Sequence, residues 1–251
     1  MRARLIYSKR GGACFVPHIA LAQIFSRSAM RSGLRLIMTQ GFSPRAKISF
    51  APELPAGVVA LNEPVDMYFY DDNFAAMNES HSESLNVSHD HFAAVKSESH
   101  SEGLSSHDNF ALISESHSES LNVSHALTRD DIAALMNESL PEGFHVSRVL
   151  FPDENSPSLG KMCKYAEYLI RTTTGHDLNE HVKNFYGSSL LRTKHKDTWL
   201  SAIISEPAQN PIGGLVKYLK AENIIAGWHE MNIVRVSIGG YDTEGDCVCL
   251  K

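Results

Sequence analysis

The chain lacks any apolar run near the roughly 18–20 residues that cross a bilayer, and its first residues alternate apolar and polar without a signal-peptide core. These absences argue against a membrane protein and lead us to expect a cytoplasmic one. Cysteine is scarce, with four in 251 residues, which disfavours a disulfide framework. The chain also has no iron–sulfur cysteine run and no standard glycine-rich nucleotide motif, so we expect no cofactor and no metal site.

Acidic residues are almost missing from the first 60 positions, which hold nine Lys or Arg and one acid. This segment therefore carries a formal charge of +8, whereas the whole chain carries −6. A basic face attracts a polyanion even on an acidic protein. The segregation favours a surface that binds nucleic acid, with an ordinary solvated surface as the alternative.

The hydrophobic pattern predicts the order β-α-β-β-α-β over the first part of the chain. A glycine turn after residue 10 is followed by a possible return strand at 13–16, and a short apolar strand is expected at 34–38. The other predicted strands are 2–7, 47–51, 65–70 and 144–150, and the predicted helices are 18–32 and 128–139.

A second series of the same kind follows a Pro/Ser loop. Its predicted strands are 165–173, 190–192, 199–204 and 232–238, and its predicted helices are 177–186 and 215–221, the latter after a glycine pair. The fold class is therefore α+β, as two tandem ferredoxin-like halves. We expect a basic domain at 1–150, a second domain at 160–240 and a C-terminal tail at 241–251 that contains Cys247 and Cys249.

A tandem repeat interrupts the first half at 74–125. Three units of approximately 18 residues begin at Phe74, Phe92 and Phe110, and together they contain eight acids, one Lys and seven His. Such polar, Ser-rich units bury little apolar surface. We interpret the segment as a low-complexity surface insertion, with weak divalent-metal binding by its histidines as the alternative.

The segment 41–47, G-F-S-P-R-A-K, combines a glycine, an aromatic ring and two cations. Glycine permits close approach of a ligand, an aromatic ring stacks on bases, and cations hold phosphates. Because this segment is expected to lie beside the polar side of the first helix, it predicts an RNA cradle. The alternative is a plain turn. The candidate RNA-binding residues are Arg27, Arg31, Arg35, Gly41, Phe42, Arg45 and Lys47.

His18 begins the first predicted helix and is the candidate catalytic residue. The positive end of the helix dipole is expected to lower its pKa and favour the neutral imidazole. A neutral histidine beside a basic cradle could act as a general base toward a ribose hydroxyl. The alternative is a histidine that only caps or packs.

Three stretches carry a family resemblance: R-A-R-L-I-Y-S-K, F-V-P-H-I-A-L and G-F-S-P-R-A-K-I-S-F-A-P-E-L-P-A-G-V. Residues 2–70, and again 127–171, resemble a radical-SAM-linked bacterial domain of unknown function. The family commonly has an acid where this chain has Ala20, and the repeats of 74–125 look foreign to it. The first half is also similar, distantly and at the level of the fold, to RAMP-type CRISPR endoribonucleases.

The resemblance implies a cobalamin-binding radical SAM protein as partner, because members of the family lie beside such proteins or are fused to them. Together with the +8 segment, it leads us to expect a non-catalytic accessory module that binds a structured RNA and presents it to this partner for RNA modification. One alternative is a metal-independent endoribonuclease with His18 as base and Arg45 or Lys47 steadying the developing charge. Another is a protein-interaction scaffold. No membrane partner is expected.

Overall fold

The computed structural model describes residues 1–71, 127–241 and 247–249. Within these ranges nine strands form one sheet, mostly antiparallel, and helices pack against it. The architecture is α+β, as the sequence predicts. The predicted repeat insertion at 74–125 lies outside the described residues, and the proposed domain boundaries remain predictions.

The elements alternate along the chain in two similar series. The strands are β1 (Arg2–Lys9), β2 (Ile48–Phe50), β3 (Val59–Tyr68), β4 (Phe144–Leu150), β5 (Tyr165–Thr172), β6 (Leu190–Lys196), β7 (Trp199–Ser205), β8 (Met231–Tyr241) and β9 (Cys247–Cys249). The α-helices are α1 (His18–Arg31), α2 (Arg129–Ser139), α3 (Leu159–Met162), α4 (Asn179–Tyr186) and α5 (Ile212–Ala221).

In the first half, the neighbouring strands run β4-β1-β3, and β2 pairs with the far end of β3. All these pairs are antiparallel. Alternate side chains of β1 and β3 pack against α1 and α2 in one apolar core. Its largest members include Leu5, Phe25, Met67, Phe69 and Met136.

In the second half, the strands run β8-β5-β7-β6, again with antiparallel neighbours. The inward side chains of β5 and β7 pack against α4 and α5 in a second core. Its members include Tyr168, Ile170, Val182, Ile204 and Leu215.

The two halves join through β3 and β8, which run parallel and pair Val59 with Val234 and Ala60 with Arg235. The segment before β3 crosses this seam as well. Its apolar side chains belong to the second core rather than the first: Ala51, Leu54, Val58 and Ala60. The chain of the first half therefore contributes side chains to the second core, and the sheet is continuous across the junction.

Local sequence signals are confirmed for several elements. Helix α1 ends before Gly33, whose φ of +75° suits glycine, and α2 follows the predicted cap residue Thr128. That hydroxyl accepts from the Asp131 backbone N–H, and the Asp131 carboxylate accepts from the Thr128 N–H, forming a capping box. Strand β4 has the predicted bounds.

Two predicted strands of the first half are wrong. Residues 13–16 form part of a 3₁₀-helix, Gly11–Phe15, because backbone N–H groups here bond within the turn; the Val16 N–H, for example, donates to the Ala13 carbonyl at 3.0 Å. Residues 34–38 are held only by isolated bridges, Leu36 to Phe69 and Met38 to Ala46.

Helix α5 begins earlier than the glycine pair suggests, since Pro211 caps it and both glycines lie inside it. A Cβ added at Gly214 would stand 3.0 Å from the Phe185 ring. The glycine therefore permits close packing of α5 on α4. From sequence alone, a glycine pair indicates a helix boundary rather than a packing contact inside a helix.

Residues 247–249 form β9, which pairs with β8. The sequence predicts a C-terminal tail at this place. Cys14 and Cys163 are buried free thiols. None of the helices within the described ranges has the length and apolarity to cross a bilayer.

Candidate functional site

A small cavity lies where the two halves meet, beside the start of α1. Side chains from β1, α1, β3, β8 and the segment 50–54 line it, and the enclosed space is about the size of one water molecule. The lining includes five polar residues, hereafter the junction cluster: Tyr7, Lys9, His18, Glu63 and Arg235. Such a concentration of titratable groups in one cavity is typical of functional sites.

Arg235 is the scaffold of this cluster and is only 1% exposed. Its Nε–H donates to Glu63 Oε1 at 2.7 Å, and one terminal nitrogen donates to the other Glu63 oxygen and to the Pro52 carbonyl. The second terminal nitrogen donates to the Glu53 carbonyl at 3.4 Å and to the Tyr168 hydroxyl at 3.5 Å. Every donor of the guanidinium is therefore occupied, and Arg235 joins the halves rather than offering a free contact.

Lys9 differs from Arg235 because its charge is poorly compensated. The side chain is buried, and its ammonium donates to the Val16 carbonyl at a long 3.3 Å. Within the described part of the chain no carboxylate forms an ion pair with it. Burial lowers the pKa of Lys9, against the opposing influence of Cys14 and Glu63.

Cys14 does not supply the missing negative charge. Its thiol donates to the Lys9 carbonyl at 3.3 Å, and burial raises the pKa of the thiol. It therefore remains protonated at neutral pH.

Tyr7 is buried with its ring edge against Phe25, 4.8 Å between centroids. Burial, followed by the charge of Glu63, raises the pKa of Tyr7 well above its usual value. Its side chain lines the cavity. Tyr7 thus presents a neutral hydroxyl at the cavity.

His18 is half-buried at the start of α1, with its ring edge-on to Phe50 at 5.5 Å. Burial lowers the pKa of His18; Glu53 opposes this shift and Arg235 reinforces it. The direction agrees with the sequence-based expectation, although burial is the main cause. The imidazole is neutral at neutral pH and stands among the junction cluster, whereas neither Arg45 nor Lys47 lines this cavity.

The predicted RNA-binding residues of α1 are on its exposed surface. Arg27 and Arg31 are both exposed, and Met30 between them is 58% exposed. They flank a shallow open depression at the C-terminal part of the helix. These two arginines lie on the face of the sheet that α1 covers.

The predicted glycine–aromatic turn forms an exposed loop. Phe42 is fully exposed, and Gly41 has a φ of +137° that suits only glycine. A backbone hydrogen bond of 2.7 Å from Thr39 to Arg45 closes the loop. The loop therefore displays an aromatic ring and a cation to solvent.

Arg35 and Lys47 each lie over a tyrosine ring. The Arg35 guanidinium is 5.3 Å from the Tyr70 centroid, and Lys47 Nζ is 4.2 Å from the Tyr68 centroid. Tyr70 is 44% exposed and Tyr68 is half-buried. We call these four residues the tyrosine edge.

The tyrosine edge and the α1 arginines are on opposite faces of the sheet. Met67 and Phe69 point into the core beneath α1, so the alternating Tyr68 and Tyr70 point the other way. The same alternation applies to Arg35, whose neighbours Leu34 and Leu36 belong to that core. The structure thus places Arg27 and Arg31 on one face and Arg35 and Lys47 on the other. Gly41, Phe42 and Arg45 lie on the exposed loop between Arg35 and Lys47 in the chain.

The formal +8 of the first 60 residues also overstates the exposed charge. Arg4 is buried and holds Asp66 through two hydrogen bonds, at 2.7 and 2.9 Å. Arg2 donates to the carbonyls of Asp153 and Ser156. With Lys9 also buried, three of the nine bases are engaged by other groups of the protein rather than free for a polyanion.

Two features escaped the sequence interpretation. Lys9 follows Ala3, Leu5 and Tyr7 at the alternate positions of β1 whose side chains point inward. A lysine at such an inward position is the feature of the sequence that could have indicated the junction cluster. In the second half, the Arg171 guanidinium lies 4.5 Å from the Trp199 ring. No local pattern links those two residues, which only the pairing of β5 with β7 brings together.

Within the described ranges, no group of three or more His, Cys, Asp or Glu residues is arranged to hold a metal ion. The histidines of 74–125 lie outside those ranges.

The fold and the junction cluster define an α+β protein with a polar cavity between two structurally similar halves. Residues 2–107 match the profile of a family described as "Uncharacterized protein conserved in bacteria (DUF2344)". The match begins at β1 and covers the junction residues of the first half as well as the tyrosine edge. No curated protein matches the chain.

Proposed function

We propose that this protein is a non-catalytic accessory module of the cytoplasm that binds structured RNA for a cobalamin-binding radical SAM protein, in RNA modification. The observation that carries the proposal is the tyrosine edge. Two cation–aromatic pairs lie side by side next to an exposed loop that adds Phe42 and Arg45. Exposed rings stack on unpaired bases, and neighbouring cations hold phosphates.

The topology supports placing this RNA surface on a ferredoxin-like unit. In each half the fourth strand of the βαββαβ series lies beside the first, the first beside the third, and the third beside the second. We interpret both halves as ferredoxin-like on this basis. The sheet face opposite the helices then carries the nucleic acid, as in the RRM, whose sheet aromatics stack on bases.

The proposed partner rests on the resemblance to the radical-SAM-linked bacterial domain, and the match to an uncharacterized bacterial family is compatible with it. We assign partner docking to the second half, because the RNA surface lies on the first. Affinity capture of the tagged protein from its native cells is expected to recover both a radical SAM protein and RNA.

The RNA part of the proposal is tested with fluorescently labelled hairpin RNAs and fluorescence anisotropy. The double variant Arg35→Glu/Lys47→Glu should lose binding, whereas Arg27→Glu/Arg31→Glu makes the same charge change on the other face and should retain it. Affinity should fall steeply with salt, because phosphate contacts release counterions. An equal loss of RNA affinity in both variants would mean that neither face binds the RNA specifically. This result would contradict the assigned surface.

The same assay separates the alternatives. Absence of binding at low salt would favour a protein-interaction scaffold. Cleavage of the RNA in EDTA, abolished by His18→Ala, would favour a metal-independent endoribonuclease instead of an accessory module.

A further inference from the structure

The junction cavity holds more positive than negative charge. Lys9 and Arg235 are cationic, and Glu63 is the one buried carboxylate that lines the cavity. Both oxygens of Glu63 are engaged by Arg235. His18 and Tyr7 are neutral at pH 7 for the reasons given above, so among the cavity-lining residues that the structure describes one positive charge remains uncompensated.

That charge belongs to Lys9. An ammonium with one long hydrogen bond and 2% exposure is costly to bury, because it has left water without a matching partner. Lys9 and Tyr7 both line the cavity. An ammonium and a hydroxyl therefore border a space that protein atoms do not fill.

We infer that the cavity beside Lys9 is a binding site for an oxyanion group, carboxylate or phosphate, that has one oxygen inserted between Lys9 and Tyr7. The enclosed space admits a single oxygen atom, so the remainder of the ligand stands at the mouth beside half-buried His18 and Phe50. One negative charge neutralises the cluster. The site lies apart from the tyrosine edge and does not depend on the RNA proposal.

The test uses isothermal titration calorimetry of the whole chain with sodium formate and with sodium phosphate, at an ionic strength held constant with sodium chloride. The two probes distinguish a carboxylate from a phosphate ligand. Lys9→Met keeps the apolar stem of the side chain and removes the charge. We expect this variant to bind the preferred probe about tenfold more weakly or worse, as for loss of a charged hydrogen bond.

Further variants distinguish loss of the binding site from a general loss of stability. Tyr7→Phe removes one hydroxyl from the cavity and should weaken binding severalfold, whereas Tyr186→Phe removes a buried hydroxyl that lacks a partner in the second core and should not. Lys217→Met removes an exposed ammonium on α5 and should also leave probe binding unchanged.

The stability of Lys9→Met adds an independent readout. If Lys9 is retained for a ligand, removing its poorly paired charge should raise the melting temperature of the free protein while abolishing the stabilisation by the probe. Failure of both probes to bind the wild type, or unchanged binding in Lys9→Met, overturns the inference. The RNA affinity of Lys9→Met should equal that of the wild type. The oxyanion site and the RNA surface can therefore be confirmed or rejected independently.

Discussion

Arg235 and Glu63 form a buried ion pair between β8 and β3, although 172 positions separate them in the chain. The pair connects the last long strand of the second half to the central strand of the first. It lies next to the parallel pairing of Ala60 with Arg235. The guanidinium also holds the Pro52 carbonyl, so one side chain fixes the strand junction and the segment that crosses it.

Arg235→Met should therefore destabilise the fold strongly. Loss of one partner from a buried ion pair leaves an unpaired charge, at a cost of about 3–5 kcal/mol. Urea unfolding measures the change, with Arg27→Met, at an exposed arginine of α1, as the control. The double variant Arg235→Met/Glu63→Met should lose less than the sum of the single variants, and additive losses would contradict the direct coupling.

Gly143 is a second point of strict local geometry. Its φ is +88°, and an added Cβ would stand 2.5 Å from the Arg10 carbonyl oxygen and 2.8 Å from the Ala13 Cβ. We expect Gly143→Ala to cost at least about 1–3 kcal/mol, since it combines backbone strain with a clash against backbone. Gly160→Ala, where a Cβ meets nothing within 4 Å, is the control for thermal denaturation. Similar melting temperatures for the two variants would show that the turn relaxes freely.

The capping box of α2 predicts a smaller effect. Thr128→Ala removes the hydroxyl that accepts from the Asp131 N–H at 3.2 Å, and should cost about 1 kcal/mol. Thr173→Ala, in an exposed turn, should be close to neutral. Chemical denaturation resolves the difference, and an unchanged Thr128→Ala would mean that helix packing alone defines the start of α2.

His18 should make stability depend on pH in a defined direction. Its folded pKa is below the ordinary 6.5 because of burial, so at acidic pH the unfolded chain binds a proton that the folded chain does not. The free energy of unfolding should thus fall as the pH drops below about 6.5. Unfolding of wild type and His18→Gln between pH 8 and 5 isolates this contribution, and the variant should show the shallower decline. A steeper decline in the variant would mean that the folded state favours the charged imidazole.

Tyr70 should matter for RNA but not for folding. Stacking of a base on an aromatic side chain contributes about 1–3 kcal/mol, so Tyr70→Ala should weaken RNA binding roughly 5- to 150-fold. Phe15→Ala removes another exposed ring, 72% accessible and far from Tyr70 in sequence, as a control. Equal RNA affinities for the two variants, both folded by circular dichroism, would remove stacking from the proposal.

Local sequence was sufficient for elements whose signals are local. The apolar spacing of α1 and the cap of α2 specify helices through contacts within a few residues. The alternation of β4 likewise indicates its strand. By contrast, residues 13–16 have strand-like composition but form a 3₁₀-helix, because backbone hydrogen bonds within the turn replace a sheet partner.

The amino-acid sequence by itself determined the α+β class, the repeated order of strands and helices, and the identity of the exposed turn around Phe42. Only the tertiary structure decided which cations are available. It buried Arg4 against Asp66 and placed Lys9 in a cavity where no carboxylate of the described ranges pairs with it. It also put Arg35 and Arg31 on opposite faces of the sheet. The physical reason is that periodicity records which side chain faces inward, whereas charge compensation depends on partners that strand pairing brings from distant positions.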